Sequence, residues 1–342
     1  MPIEILHVGA GMRGENWLDF IAQHPETTSV ACVEPVEAAR QKAAGRLGAD
    51  KVFADFDEAL GKVKADACLI VSPSHLHVEQ ALKALDAGMA VMIEKPFATS
   101  VADAQQVIER SKQTGKPVVI AEQFRWVPAE RTVRRAVREG LIGTVFSATL
   151  ADRRRMPKGM QGAWAAELEH VQLREIAVHH FDSIRAYFDR RPLSVAARAW
   201  NPPASDYKHG ACTEAMIEME DGLHVQYLGT LTSPKFGYRL VVEGDRGTLW
   251  TDRKYVLVRP AGSRFFKPVK KVQVPKGDGD PYPREGTTSL IESLVAAVRN
   301  GQAAETSAED NLWTIAMMEA GIRSDQERRT VDISSVIGDV PG

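Results

Sequence analysis

The 342-residue sequence predicts an α/β fold, with an N-terminal doubly wound parallel sheet and a C-terminal α+β domain built on a mostly antiparallel open sheet. Up to residue 122, apolar strand-like runs alternate with helices, which is typical of a parallel sheet. Beyond that point, alternating strands are separated by turn signals such as Asp221-Gly222. We therefore expect one domain of residues 1–122 and another of residues 123–342, with C-terminal helices able to pack back on the first.

Each predicted strand of the first domain is a short apolar run that ends at a glycine, a proline or a polar residue. Such runs are typical of strands buried on both faces of a parallel sheet. The predicted strands are residues 3–8, 29–33, 51–53, 67–71, 90–93 and 116–121. The intervening helical patterns lie at residues 14–21, 38–47, 57–62, 75–88 and 100–114, with His75 and His77 in the first turn of the fourth.

The first strand runs into a Gly-x-Gly-x-x-Gly turn that opens a helix. The first glycine permits the tight turn, the second lets the backbone approach a pyrophosphate, and the third lets helix and strand pack closely. The second strand ends at an acidic residue, whose carboxylate can accept hydrogen bonds from a ribose diol. These features predict a Rossmann dinucleotide-binding domain, against the alternative of a glycine-rich turn with an incidental acid. The residues expected to contact the dinucleotide here are Gly9, Gly11, Met12, Arg13, Gly14 and Glu34.

Further polar residues follow the other strands at their carboxyl ends, where ligands bind in open α/β sheets. The fifth strand ends in Glu94-Lys95-Pro96, and the proline favours an extended Lys95, so the ammonium is presented from a stiff backbone. The alternative for this motif, taken alone, is a structural one, in which Glu94 forms an ion pair at the strand end and Lys95 lies in solvent. The additional residues expected to bind the cofactor are Ser72, Pro73, His77, Glu94, Lys95 and Gln123.

The second half predicts short strands at residues 144–150, 194–200, 213–219, 224–231, 238–243 and 255–258, and a loop at residues 267–286. Helices are expected at residues 129–139, 173–188, 290–298 and 308–326. In the helix of residues 173–188, Glu175, His179 and Asp182 form a polar stripe at i, i+4 and i+7. A carboxylate one turn before a histidine can orient the imidazole and raise its basicity, although a structural ion pair is the alternative. His180 faces the apolar side and is expected in the core.

Composition excludes several classes of function. A net charge of −2 argues against a nucleic-acid surface. The three cysteines have no Cys-x-x-Cys partner, and His75 and His77 face different ways on a helix, so no metal site is expected. The sequence starts directly in a strand and has no long apolar stretch, so we expect no signal peptide, no membrane span and a cytoplasmic protein.

These motifs, in this order and at these separations, resemble the Gfo/Idh/MocA oxidoreductases along nearly the whole chain. Glu94-Lys95-Pro96 after a dinucleotide fold is the most specific of them. The resemblance implies that Lys95 is the catalytic lysine and His179 the catalytic histidine. It also implies that the open face of the second sheet forms a homodimer or homotetramer contact, and an antiparallel sheet with few covering helices predicts self-association independently.

The chain departs from the family pattern where the substrate is expected to bind. The family usually has Asp-x-Gly-x-His on the second-domain helix, whereas this chain has Glu175 and Ala177. Glutamate keeps the charge but reaches one methylene further, so it either contacts the substrate differently or only orients another group. Residues 158–173 lack the usual glycine-rich run. Candidates for shaping the pocket are Trp126, Arg153, Arg155, Trp164 and Gln172.

The predicted activity is hydride transfer between nicotinamide and a hydroxyl or carbonyl carbon of a sugar, cyclic polyol or sugar derivative. His179 is expected to act as general base, Lys95 to stabilise charge on the reacting oxygen, and Glu175 to orient His179 or another substrate hydroxyl. Glu34 favours NAD over NADP. The alternatives are a dinucleotide-bound regulator without turnover and an NAD-dependent glycosidase of the same family.

Overall fold

The computed structural model describes residues 1–156, 163–203, 205–262, 269–274 and 286–338. The described residues form two compact units. The first consists of residues 1–123 and 286–312, and the second of residues 124–285 and 313–342.

Six strands and five helices alternate along residues 1–122 of the first unit. They are β1 (Ile3–Val8), α1 (Met12–Gln23), β2 (Thr27–Val33), α2 (Glu37–Leu47), β3 (Val52–Phe53), α3 (Phe56–Lys62), β4 (Ala67–Ile70), α4 (His77–Asp86), β5 (Ala90–Ile93), α5 (Val101–Thr114) and β6 (Val118–Ile120). All six strands lie within two residues of their predicted bounds.

The strands of the first unit form one parallel sheet in the order β3-β2-β1-β4-β5-β6. This order confirms the predicted doubly wound topology, because the direction of winding reverses between β1 and β4. The strands β4, β5 and β6 are completely buried, as their apolar runs predict. The polar residues that follow β1, β4 and β5 therefore come to the same edge of the sheet.

The second unit is built on a larger sheet. Its elements up to residue 274 are α6 (Pro128–Arg138), β7 (Val145–Arg155), α7 (Ala163–Ala166), a π-helical turn (Leu173–Ala177), α8 (Val178–Phe188), β8 (Pro192–Trp200), β9 (Cys212–Met219), β10 (Leu223–Thr230), β11 (Thr232–Gly244), β12 (Gly247–Thr251), β13 (Val256–Pro260) and β14 (Lys270–Val272). The remaining elements of the chain are α9 (Thr287–Asn300) in the first unit, α10 (Ala308–Glu327), β15 (Val331–Asp332) and α11 (Ser334–Ile337).

Nine described strands of the second unit form a sheet in the order β14-β13-β12-β11-β7-β10-β9-β8-β15. Its pairs are antiparallel except β7 with β10, which confirms the mostly antiparallel prediction. Three short strands, β12, β14 and β15, were absent from the prediction. The predicted loop at 267–286 is wrong at β14, which pairs with β13 despite its two lysines. Residues 267–268 and 275–285 of that loop lie outside the described residues.

No helix in the described ranges has the length and apolar character needed to cross a membrane.

His7 is an exception in the apolar core of the first unit. It lies on β1 and is completely buried, and neither ring nitrogen has a hydrogen-bond partner among the described residues. Burial disfavours the charged ring and lowers the pKa of His7 from 6.5 to about 3. Between these values the unfolded chain binds a proton that the folded chain does not, so this histidine makes the fold less stable as the pH falls below 6.5.

We predict that His7→Leu makes unfolding less sensitive to acid. The stability gain over the wild type should grow by up to about 1.4 kcal/mol for each pH unit below 6.5, because the buried proton acceptor is gone. Urea unfolding at several pH values between 4.5 and 7.5 measures it. His224→Leu is the matched control, since His224 on β10 is exposed. A difference that stays constant with pH would contradict the prediction.

Candidate active site

The glycine turn after β1 combines two tightly packed glycines with one that faces open space. Gly9 has a φ of +100°, and a Cβ there would lie 2.8 Å from the backbone of Val71. A Cβ on Gly14 would overlap the carbonyl oxygen of Gly9. A Cβ on Gly11 would meet nothing within 4 Å. Packing thus explains the first and third glycines, whereas the second leaves space in front of the amino terminus of α1.

Glu34 is buried at the end of β2, beside the glycine turn. Its Oε2 accepts a 2.7 Å hydrogen bond from the N–H of Ala10, and its Oε1 accepts a 2.9 Å bond from the N–H of Val36. Arg40 donates to the carbonyl oxygens of Glu34 and Pro35, at 2.7 and 2.9 Å. These bonds fix the carboxylate next to the turn, and each oxygen keeps a lone pair for a further donor.

Glu94 is buried at the end of β5 and is joined to the helix that follows the glycine turn. Its Oε1 accepts hydrogen bonds from Trp17 Nε1 at 2.7 Å and Arg13 Nε at 2.5 Å. Burial alone would raise the pKa of Glu94, but the charges of Arg13 and Lys95 and the hydrogen bonds outweigh it and hold the pKa below its ordinary value. The backbone just before Lys95 is therefore anchored to α1.

Lys95 is half-buried, and its peptide bond to Pro96 is cis. The loops after β4 and β5 are joined by His77, whose Nδ1 lies 2.9 Å from the Pro96 carbonyl oxygen and whose Nε2 lies 2.8 Å from that of Ser72. The Ser72 hydroxyl donates to Gln80. His77 is almost completely buried, so these contacts give it a positioning role for the loop that carries Lys95.

The remaining predicted cofactor residues have different surroundings. Met12 is exposed on the first turn of α1, and Pro73 is half-buried. Gln123 is buried, and its Oε1 has no hydrogen-bond partner among the described residues. The Nη2 atom of Arg13 is also buried and also has no hydrogen-bond partner among the described residues. Buried polar atoms of this kind are rare unless a ligand or water satisfies them.

In the second unit, the predicted helix of residues 173–188 is not regular. It begins as a π-helical turn and becomes an α-helix only at Val178, so the predicted α-helical register of Glu175, His179 and Asp182 is wrong before that point. Such turns insert an extra residue into a helix and often occur at functional sites. Glu175 and His179 are both buried, with 4% and 5% of their surfaces exposed.

The ring of His179 stacks on Phe124, with centroids 4.4 Å apart and an interplanar angle of 22°. Arg253 lies over Phe124 and Tyr238, at 4.4 and 3.8 Å from the ring centroids. Its Nε also donates a 2.6 Å hydrogen bond to Glu130. Burial disfavours the charged guanidinium, but the charge of Glu130 outweighs it and raises the pKa of Arg253. The charged guanidinium of Arg253 therefore packs on the Phe124 ring, and His179 stacks on that same ring.

His180, the neighbour of His179, is completely buried, as its position predicts. Its Nδ1 lies 3.0 Å from the Tyr227 hydroxyl, and its Nε2 lies 3.5 Å from Asp152. Burial, followed by the charges of Arg253 and Arg154, lowers the pKa of His180 well below its ordinary value. The ring is accordingly neutral and belongs to the packing around His179.

Asp182 forms a buried, bidentate ion pair with Arg125 at 2.6 and 2.7 Å, so it has a structural role in α8. Among the pocket candidates, Gln172 is buried and donates to Tyr227. Trp126 is half-buried, and Arg153 and Arg155 are exposed on β7. The side chain of Trp164 lies outside the described residues.

Most of the residues that support His179 cannot be found from the sequence. The partners Arg253 and Glu130 are 123 residues apart, and no spacing in the sequence connects them. Phe124 is the exception. It directly follows Gln123, which is predicted at the ligand-facing edge of the first sheet, so its position in the sequence already suggests a place near the site.

Two sequence profiles of one family match the chain. The profile of the GFO_IDH_MocA oxidoreductase family, with an NAD-binding Rossmann fold, matches residues 3–122, and that of a GFO/IDH/MocA C-terminal domain matches residues 131–250. The chain belongs to the Gfo/Idh/MocA oxidoreductase family.

Similar proteins span the full length of the chain. D-apiose dehydrogenase of Paraburkholderia graminis is 26% identical, covering 98% of this chain and 90% of the relative. Inositol 2-dehydrogenase of Rhizobium meliloti is 23% identical, covering 98% of this chain and all of the relative. A solved oxidoreductase from Agrobacterium radiobacter, in complex with NAD⁺, L-tartaric acid and magnesium, has the same fold, with a TM-score of 0.87 and 17% identity over 98% of this chain and 99% of that one.

The first unit of this Gfo/Idh/MocA protein fits a dinucleotide. The open space at Gly11 lies at a helix amino terminus, which suits a pyrophosphate. Glu34 is fixed beside the turn with lone pairs left for ribose hydroxyls. Gln123 and Arg13 supply a buried acceptor and a buried donor that the described residues do not satisfy. These observations agree with the NAD-binding description of the family.

We predict that alanine at one glycine of the turn weakens dinucleotide binding, whereas alanine at another lowers the stability of the fold. Gly11→Ala should leave thermal stability unchanged and weaken dinucleotide binding roughly tenfold or more, because its methyl group enters the open space. Gly14→Ala should destabilise the fold by about 1–3 kcal/mol, because its methyl group overlaps the Gly9 carbonyl. Calorimetric titration with NAD and urea unfolding separate the two. Unchanged affinity in Gly11→Ala would contradict the assignment of this space to the pyrophosphate.

Proposed function

We propose that the protein is an NAD-dependent dehydrogenase or reductase acting on a CH–OH group of a sugar, cyclic polyol or sugar derivative. The observation that carries the proposal is Lys95 at the carboxyl end of β5, with the preceding Glu94 anchored on the glycine-turn helix. The names of two full-length relatives, a D-apiose dehydrogenase and an inositol 2-dehydrogenase, support this substrate class.

The proposed roles follow from the chemistry of the side chains. The nicotinamide, when bound, exchanges the hydride with the substrate carbon. His179 is the proposed general base for the hydroxyl proton, and its stacking on Phe124 fixes the plane of the ring. Lys95 is the proposed donor to the reacting oxygen, where its charge stabilises developing negative charge. Glu175 is proposed to orient His179 or to bind another substrate hydroxyl.

The substrate class is tested by a screen of cyclic polyols, aldoses and their oxidised forms, followed at the absorbance of reduced nicotinamide. We expect turnover with at least one of these compounds. Purified protein that retains bound dinucleotide but turns over none of them would contradict the proposal and favour a regulator or a glycosidase that never releases its cofactor.

The catalytic roles predict that Lys95→Ala and His179→Ala each lower kcat by roughly 10²- to 10⁴-fold, the usual contribution of a positioned proton-transfer group. Dinucleotide affinity should change little, because the glycine turn and Glu34 carry it. Single-turnover hydride transfer at saturating cofactor is the measurement. Lys64→Ala and His75→Ala are matched controls, since both side chains are exposed.

The double variant Lys95→Ala/His179→Ala tests whether the two groups act on one oxygen. In that case its loss should be smaller than the product of the two single losses. Glu175→Gln should be milder if Glu175 only orients His179, and as damaging as His179→Ala if it shares the proton. Near-normal rates in Lys95→Ala would refute the assignment at its most specific residue.

The preference for NAD over NADP is proposed from Glu34, whose carboxylate would repel a 2′-phosphate. Glu34→Gln keeps an acceptor for one backbone N–H and removes the charge, so it should raise kcat/KM with NADP relative to NAD by roughly tenfold or more. Steady-state kinetics with both cofactors measure the ratio. Equal or better efficiency of the wild type with NADP would overturn the preference.

Self-association is proposed through one face of the second sheet. A row of exposed or half-buried residues runs straight across five paired strands on this face: Met216, Gln226, Thr149, Val241 and Trp250. The opposite face carries buried residues such as Ile217, Val225 and Leu240. A second copy that covers the row would remove Met216, now 52% exposed, from water.

Sedimentation should therefore show a homodimer or homotetramer at micromolar concentration. Met216→Glu should shift it towards monomer, because a carboxylate would be buried without a partner. Gln23→Glu adds the same charge on an exposed position of α1 and should leave the assembly intact. A fully active monomeric wild type would rule out the proposal.

A further inference from the structure

Three potential metal ligands, none of which has a proposed catalytic role, meet in the second unit. They are His170, which precedes the π-helical turn, His209, in the segment between β8 and β9, and Asp325, near the end of α10. One ring nitrogen of each histidine and one carboxylate oxygen all lie within 4.8 Å of one another. His170 Nε2 lies 3.0 Å from Asp325 Oδ2, and the two imidazoles meet edge to face with centroids 4.6 Å apart.

The backbone holds these ligands together. The N–H of Val171 donates to the carbonyl of His209 at 3.3 Å, and that of Gln172 donates to Gly210 at 3.0 Å. The two segments are so close that a Cβ on Gly210 would lie 2.7 Å from the Cα of His170. His170 itself has a φ of 53°, in the left-handed region that residues other than glycine rarely adopt. Strained residues of this kind cluster at functional sites.

The carboxylate of Asp325 is also oriented by its surroundings. Its Oδ1 accepts a 3.0 Å hydrogen bond from the N–H of Ala199 on β8, which leaves Oδ2 directed at His170. A hydrogen bond to the second oxygen of a carboxylate ligand is typical of metal sites. The guanidinium of Arg328, 3.6 Å from Oδ1, approaches from the exposed side and shares the charge of Asp325.

Two imidazoles and one carboxylate are the donor set of three-ligand zinc sites, in which water takes the fourth position. Ligand bonds of about 2.0–2.2 Å place ligand atoms roughly 3.4 Å apart in a tetrahedral site. The 3.0 Å contact between His170 and Asp325 is already close to this spacing. His170 and Asp325 are buried, whereas His209 is half-buried. The widest separation, up to 4.8 Å, involves His209, so a movement of its side chain by up to about 1.4 Å would bring all three ligand atoms to the tetrahedral spacing.

We infer that His170, His209 and Asp325 form a binding site for one divalent transition-metal ion of the zinc class. No sequence pattern indicated this site, because the three residues have no ligand spacing. The ion would hold the start of the segment that carries Glu175 and His179. The inference does not depend on the proposed function.

The test uses full-length protein treated with a chelator, desalted and titrated with zinc sulfate. We expect one zinc ion per chain, both by calorimetry and by elemental analysis after gel filtration, and a zinc-dependent rise in Tm. Cobalt(II) should add visible absorption bands typical of a site with nitrogen and oxygen ligands.

His209→Ala and Asp325→Asn should both lose the bound zinc and the rise in Tm. Asparagine keeps the size of the side chain and an acceptor oxygen, so the second variant preserves the fold. His224→Ala, at an exposed histidine on β10, is the control that should keep both. A wild type that retains no zinc, or a full equivalent retained by either ligand variant, would overturn the inference.

Discussion

The buried carboxylate of Glu94 is the interaction on which the first unit most depends. Burying a charge is costly unless it is paired and hydrogen-bonded, and Arg13 and Trp17 supply both conditions at a single oxygen. Hydrogen bonds to charged groups contribute about 1.5–3 kcal/mol each, so loss of either donor leaves a large penalty. The same bonds connect the end of β5 to the helix after the glycine turn, and this makes the position of Lys95 part of the packing of α1.

The second unit uses buried charge in a similar way around His179. The ion pairs Arg253–Glu130, Arg125–Asp182 and Arg154–Asp152 are all largely shielded from water. Buried pairs of this kind add little net stability, because desolvation offsets their attraction, but removal of one partner is strongly destabilising. Their value here is positional: they fix Phe124 and α8, and thereby the ring of His179.

The sequence allowed the first sheet to be predicted almost residue by residue, because a parallel strand is a local apolar run with a clear end. The glycine turn and Lys95 were predictable for the same reason. The π-helical turn was not, since Leu173–Ala177 has the composition of an ordinary helix and only tertiary packing selects the wider turn. β14 was missed because it is three residues long and carries two lysines. The supports of His179 and the cluster at His170 depend on contacts between distant segments, which no local pattern encodes.

The π-helical turn makes the number of residues before α8 as important as their identity. Each residue of an α-helix advances the chain by about 100°, so residues four positions apart lie on the same face. A π-helical turn holds more residues than an α-helical one, so Glu175, four positions before His179, does not keep that α-helical direction relative to it. Two relatives that share the same letters, a carboxylate four positions before a histidine, can therefore aim that carboxylate in different directions. In this segment, the direction of the carboxylate depends on the type of helical turn as well as on the residues present. A sequence alignment, which compares only residue types, would not show that difference in direction.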